Sequence, residues 1–227
     1  MSARIAVVVF PGTNCELDVV HAVETLDGTA ELVFHTEQSL GAADAVVVPG
    51  GFAHGDYLRT GAIARFSPVM TAVAEFAAAG GPVVGICNGF QVLTEAGLLP
   101  GALRKNAGLK FLCQLVDCRV ETSRSALTGL ATPGTALRLP INHFEGNYTC
   151  DAETLARLRD EDRIVLRYVD NPNGALDDIA GISNERGNVV GLMPHPERAS
   201  DPLLGSDDGV VLLRSFLDAA SARSAAA

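Results

Sequence analysis

The chain has 227 residues, a formal net charge of -10 at pH 7 and 48% hydrophobic residues, enough apolar content to bury a substantial core in one large domain. With an acidic balance and no basic run it offers no general nucleic-acid surface, which needs cations to neutralise phosphates, and no apolar run approaches the roughly 20 residues that span a bilayer. The five cysteines, at 15, 87, 113, 118 and 150, have neither C-x-x-C spacing nor the even count of a secreted disulfide framework, so the expected location is a reducing cytoplasm.

Arg4 to Phe10, nearly all apolar and rich in β-branched residues, predicts a first strand covered on both faces. Its apolar part is too short for a signal segment and runs straight into a glycine turn. Pro11-Gly12-Thr13-Asn14 ends it and caps a helix to about Leu26. Ala30 to Phe34 and Asp44 to Val48 predict the second and third strands, with a loop containing Gly41 between them. The third strand ends in Pro49-Gly50-Gly51 and a loop that reaches Arg59. Two glycines at the carboxyl end of a parallel strand can present a backbone N–H to an oxyanion, although taken alone they also fit an ordinary strand-to-loop turn. Asp56 and Arg59 fit a local ion pair within that loop.

Ile63 to Ala79 predicts a helix with a start or kink at Pro68, and Gly80-Gly81 stops it. Pro82 to Ile86 is an apolar fourth strand, and Asn88 to Ala96 the helix after it, which leaves Cys87 on the turn between them. Gly85 and Gly89 flank the cysteine and leave room for a sharp reversal. Such an elbow lifts the sulfur to the carboxyl end of the sheet, at a helix N-terminus that favours a thiolate and a developing oxyanion. A lone buried cysteine is also an ordinary apolar side chain, so the elbow needs company.

Strands alternating with helices describe a doubly wound, mostly parallel α/β sheet flanked by helices. After Gly97 the texture changes. Leu109 to Val120 and Thr132 to Pro140 read as antiparallel edge strands of the same sheet, and Asn142 to Tyr148 as a polar and aromatic loop. A charged helix over Asp151 to Asp160, a strand over Arg163 to Val169 and a turn at Asn171-Pro172-Asn173-Gly174 follow. Ile179 to Asn184 and Val189 to Met193 predict a hairpin, and Asp208 to about Ala220 a final helix, which leaves 221–227 as a frayed tail of one domain spanning 1–227.

The second hairpin strand runs into Pro194-His195-Pro196-Glu197. Two prolines stiffen the backbone around His195, and Glu197 lies at a spacing that lets a carboxylate orient the imidazole. Cys87 as nucleophile, His195 as base and Glu197 as orienter would make a triad assembled from the ends of distant strands. Cys15 lacks an elbow and reads as structural or as a subunit contact, as do Cys113, Cys118 and Cys150.

Gly85-Ile86-Cys87-Asn88-Gly89-Phe90-Gln91 together with Met193-Pro194-His195-Pro196-Glu197 resembles the class I (triad) glutamine amidotransferases, whose domain is flavodoxin-like. Pro11 to Glu16, the Pro49 to Arg59 loop, Gly61-Ala62, Asn106, His143 to Gly146 and Arg198 narrow the resemblance to the glutaminase subunits of phosphoribosylformylglycinamidine synthase, across essentially the whole chain. The resemblance implies that Cys87 attacks the side-chain amide of L-glutamine, with the oxyanion held by backbone N–H groups of Gly51 and Asn88. It also implies substrate contacts from Gln91, Gly50 and His143 and a glutamyl thioester on the way to glutamate and ammonia. The implied partners are a large synthetase subunit, which uses ATP and Mg2+, and in many bacteria a small bridging subunit. No cofactor or metal is expected in this chain, which has no G-x-x-x-x-G-K-[ST] motif. The chain departs from the family's usual loop residues at Ala53-His54, and His54 is expected to pack the loop or an interface and not to act as a second base.

Overall fold

The computed structural model describes residues 2–226. In the first half β1 (Arg4–Val9), α1 (Glu16–Thr25), β2 (Thr29–Phe34), β3 (Ala45–Val48), α2 (Pro68–Ala78), β4 (Val83–Ile86) and α3 (Asn88–Glu95) follow one another. The second half adds β5 (Ala102–Arg104), β6 (Leu112–Val120), β7 (Ala136–His143), β8 (Asn147–Thr149), α4 (Ala152–Asp160), β9 (Ile164–Tyr168), β10 (Ile179–Ser183), β11 (Val189–Leu192) and α5 (Val210–Ala226).

Nine strands form one sheet in the order β2-β1-β3-β4-β11-β10-β9-β6-β7. Pairing is parallel from β2 through β11 and antiparallel beyond it. Central β3 and β4, built of Val, Ile and small residues, are buried at every residue, whereas edge strand β2 has no buried residue. The site is placed by register. Leu192 pairs with Ile86 and Val48 with Gly85, so the segments that leave β3, β4 and β11 emerge side by side at the carboxyl ends of the parallel strands, where open α/β sheets bind their ligands.

Several boundaries differ from the sequence reading for identifiable reasons. The helix expected over 63–79 starts at Pro68, one of the two places the sequence allowed, and the stretch before it is a 3-10 turn at Ala64–Phe66, because Pro68 takes the first helical position and Ser67 before it is extended, with φ -64° and ψ 140°. Strand β7 continues through His143, held by pairing of His143 with Leu112, so the first two residues of the expected 142–148 loop are ladder and 144–146 remain loop. The last two residues of that stretch belong to β8, which does not join the main sheet. It pairs with β5 in a separate two-stranded sheet, and Tyr148 stacks on Phe90 with ring centroids 5.9 Å apart. Helix α5 runs to Ala226, whereas the sequence predicts an end near Ala220 and a frayed tail. Arg223 explains the extension, since its guanidinium lies 4.5 Å from the Phe76 ring centroid and donates to Ala79 O at 3.4 Å. Residue 227 lies outside the described residues. Among them no helix is long and apolar enough to cross a membrane.

Candidate active site

Cys87 stands between β4 and α3 with φ 51° and ψ -105°, a conformation that a non-glycine residue holds only when its surroundings impose it. The imposition is visible on both sides. The Cys87 N–H donates to Leu192 O at 2.8 Å and the Cys87 carbonyl accepts from Gln91 N at 3.2 Å, the first bond of the helix. A side chain at Gly89 would collide with the Val48 carbonyl, so the helix can approach β3 this closely only with glycine there. Cys87 Sγ is 3.7 Å from Asn142 O and lines a cavity of about 150 Å³, roughly the liquid volume of five waters.

His195 and Glu197 lie behind the cysteine and are 1% and 2% exposed. His195 Nδ1 and Glu197 Oε1 are 2.6 Å apart. Burial opposes a charged imidazole, but the Glu197 carboxylate, the Cys87 sulfur and the Cys15 sulfur outweigh it and hold the His195 pKa well above the ordinary histidine value. The imidazolium is therefore the favoured form, and it is the form that can give a proton to a leaving nitrogen. Its Nε2 has no hydrogen-bond partner among the described residues.

Gly50 and Gly51 close the same corner. A side chain on Gly50 would meet His195 Cε1 at 2.8 Å and Cys15 Sγ at 3.0 Å; Gly51 has φ 144° and packs against the backbone of Thr13 and Asn14. Thr13 and Gly51 form an isolated bridge, with Phe52 N donating to Gly12 O at 2.9 Å. That bridge leaves the Gly51 N–H without an acceptor among the described residues, and Gly51 lines the Cys87 cavity.

The substrate-contact residues expected from the resemblance divide. Gln91 lines the cavity, but both ends of its amide are occupied, Nε2 donating to Glu145 O at 2.6 Å and Oε1 accepting from Asn88 Nδ2 at 2.8 Å. His143 also lines it. Its Nδ1 pairs with Asn106 Oδ1 at 3.1 Å, and Asn106 Nδ2 donates to the carbonyls of His143 and Lys110. The Asn106 oxygen must accept, so His143 carries its proton on Nδ1 and presents a bare Nε2 lone pair. Burial and the nearby His195 push the His143 pKa down to about 4, which keeps the ring neutral.

Cys15, expected to be structural or a subunit contact, touches the triad: its sulfur, a ring nitrogen of His195 and a carboxylate oxygen of Glu197 lie within 4.8 Å of one another. Arg198 Nη2 donates to that sulfur at 3.2 Å, and a fixed cation against the thiol disfavours a metal ion in the same place. Arg59 does not pair with Asp56; it forms a two-pronged ion pair with Glu95 at 2.6 and 2.7 Å, while Asp56 accepts from Asn88 Nδ2 at 3.2 Å. Asp56 and Glu145 both line the Cys87 cavity. Glu145 falls in the His143 to Gly146 segment that carries the resemblance and Asp56 in the 49–59 loop, but only the folded loops show that the two carboxylates share one cavity. His54 packs the loop against the ends of β1 and β2, its ring 6.2 Å from Phe10 and edge-on to His35 at 5.3 Å.

Residues 2–207 match the CobB/CobQ-like glutamine amidotransferase domain. The phosphoribosylformylglycinamidine synthase subunit PurQ of Rubrobacter xylanophilus is 58% identical over 94% of this chain and 97% of its own length. A solved structure of PurLQS from Thermotoga maritima contains a chain with 42% identity and a TM-score of 0.89, covering 96% of this chain and 99% of that one. A putative GMP synthase component from Thermoplasma acidophilum, at 16% identity and a TM-score of 0.72 over 100% of this chain and 98% of its own, shares the fold. The chain belongs to the glutamine amidotransferases, in the family of PurQ subunits of phosphoribosylformylglycinamidine synthase.

Proposed function

We infer that this chain is one glutaminase domain that hydrolyses L-glutamine to glutamate and ammonia, and that the ammonia serves the ATP-dependent conversion of formylglycinamide ribonucleotide to formylglycinamidine ribonucleotide in purine synthesis. The single observation that carries the chemistry is the left-handed backbone of Cys87, which turns its sulfur into a small cavity with the His195–Glu197 pair behind it.

Cys87 Sγ attacks the amide carbon, and the carbonyl electrons move onto an oxyanion that the Gly51 and Asn88 N–H groups face. The thiol proton passes to His195, which Glu197 orients and stabilises as imidazolium. Collapse of the tetrahedral species breaks the carbon–nitrogen bond, and His195 passes its proton to the departing nitrogen, which leaves as ammonia. Water then attacks the thioester with His195 as base, glutamate forms, and the Cys87 thiol is restored. Gln91 fixes the position of Glu145 and the α3 N-terminus through its two amide bonds.

The partner is a PurL-type synthetase subunit, with a PurS-type subunit beside it, as the name of the Thermotoga maritima assembly supports. ATP and Mg2+ belong to the synthetase, and this chain works without a cofactor of its own in the reducing cytoplasm.

Cys15 as nucleophile is the second reading, favoured by its place against His195 and Glu197. It is weaker, because Cys15 is 3% exposed, bonded to Arg198 and Asn14, and lines no part of the Cys87 cavity. Glutamine turnover by wild type, Cys87→Ala and Cys15→Ala, each by itself and with the synthetase chains and their substrates, tests both. Loss of turnover in Cys87→Ala alone supports the first reading; loss in Cys15→Ala with survival in Cys87→Ala overturns it.

A further inference from the structure

The cavity beside Cys87 is chemically one-sided. Among the residues lining it there is no lysine or arginine, yet it holds two carboxylates, Asp56 and Glu145. Each is held by one neutral donor: Asn88 Nδ2 reaches Asp56 Oδ1 at 3.2 Å, and Thr60 Oγ1 reaches Glu145 Oε2 at 3.1 Å. The arrangement is costly without a cation. Burial and the charge of Glu145 push the Asp56 pKa up to about 6. The same cavity is also lined by His143, which is 3% exposed and whose Nε2 has no partner. Since Nδ1 carries the proton, that nitrogen is an acceptor. Three acceptors therefore line a space the size of one small amino acid, and none of the side chains there carries a positive charge to answer them.

We propose that Asp56 and Glu145 form the seat for the α-ammonium group of glutamine, making them the residues that select an α-amino acid over a plain carboxamide. The inference rests on the glutaminase reading, because it takes the amide carbon to be placed at Cys87 Sγ. With that end fixed, the α-carbon falls a short aliphatic stem away within the same small cavity. An ammonium group has three N–H donors and a full charge, so it both satisfies the acceptors and relieves the repulsion between the carboxylates. The support of each carboxylate explains why it stays in place without substrate. Asn88 ties Asp56 to the residue after the nucleophile, and the Glu145 backbone is clamped by Gln91 Nε2 at 2.6 Å. Ammonium recognition and nucleophile placement thus share one hydrogen-bonded frame.

The test compares kcat/KM for L-glutamine and for glutaramate, the same carboxamide without the α-amino group, using the full chain by itself and assembled with the synthetase chains. Wild type is expected to prefer glutamine by about 100-fold or more, because an unanswered, half-buried charge pair penalises the ligand that lacks the cation. Asp56→Asn and Glu145→Gln, which keep shape and remove charge, each shrink that preference by about 10-fold or more, with the loss falling on glutamine. A wild-type preference below about 10-fold overturns the assignment whatever the variants do, as does an unchanged preference in both variants. If wild type turns over neither compound in the assembled complex, the glutaminase reading fails and takes this assignment with it. Glutamine turnover that depends on Cys87 but is indifferent to the α-amino group sinks the ammonium seat alone.

Discussion

The side-chain amide of Asn88 donates to the Asp56 carboxylate across 3.2 Å, which binds the residue after the proposed nucleophile to a carboxylate on the 49–59 loop. The same amide donates to Gln91 Oε1 at 2.8 Å, and its oxygen accepts from Ala53 N at 3.0 Å. One buried side chain therefore couples the elbow, the first turn of α3 and the loop that closes the cavity. Asn88→Ala removes three bonds and leaves a buried Ala53 N–H unanswered. It is expected to destabilise the chain by about 1–3 kcal/mol and to lower glutamine kcat/KM by about 10- to 100-fold. Urea unfolding and initial-rate kinetics read the two effects separately.

Asp56 makes a prediction of opposite sign for stability. Its pKa is raised from 3.8 to about 6, so folding favours the neutral carboxyl. The stabilisation is fully present below about pH 4 and is lost as pH rises through about 6. Above that range the ionised wild type carries a penalty that Asp56→Asn lacks. The shift converts to about 3 kcal/mol, which solvent screening of a half-buried group reduces to about 1–2 kcal/mol. Asp56→Asn should therefore unfold at higher urea than wild type at neutral pH, with the gain vanishing toward pH 4, while it binds glutamine less well. Equal midpoints at neutral pH would show that the pair is not strained.

Glu197→Gln tests what orients the histidine. The carboxylate is 2% exposed, and its bond to His195 Nδ1 is 2.6 Å long. An amide preserves the shape but removes the charge that favours imidazolium, so His195 should titrate lower than in wild type. Turnover should fall by about 100- to 10,000-fold. The pH dependence of Cys87 alkylation by iodoacetamide reports the change in the pair independently of turnover.

Gly51→Ala would place a methyl group 2.7 Å from Asn14 N and 2.8 Å from Thr13 Cα at φ 144°. The backbone must shift, and the N–H proposed to hold the oxyanion shifts with it. Removing one oxyanion donor typically costs about 100- to 1,000-fold in kcat, and a loss of that size is expected with a smaller change in KM.

Cys15→Ser keeps a polar atom for Arg198, whose guanidinium also donates to Asp18 at 2.9 Å. Because the thiol lies against His195 without lining the cavity, the expected loss of turnover is within about 10-fold, the scale of one modest hydrogen-bond change. A loss equal to that of Cys87→Ala would move Cys15 into the bond-making steps.

Most of the scaffold is legible in the sequence because its signals are local. The β-branched runs at Arg4 to Val9 and Val83 to Ile86, the glycines around Cys87 and the prolines around His195 each constrain their own neighbourhood. Local signals mislead where a distant partner decides. His143 is in a strand because Leu112 pairs with it, and Arg223 is helical because Phe76 and Ala79 receive it. The loop carboxylates are the least legible, since Asp56 and Arg59 are separated by a spacing that invites pairing, yet Arg59 finds Glu95 and Asp56 finds Asn88.

The amino-acid order alone determined the elbow, the stiffened His-x-Glu segment, the doubly wound core and the family, because each is written in residues close together or in motifs matched along the chain. Only the tertiary structure decided which side chains share the cavity. The parallel register of β4 with β11 brings His195 to Cys87, and the folded loop brings Asp56 to Glu145. Contacts between residues far apart in sequence depend on how strands align and loops close, which no stretch of the chain specifies by itself.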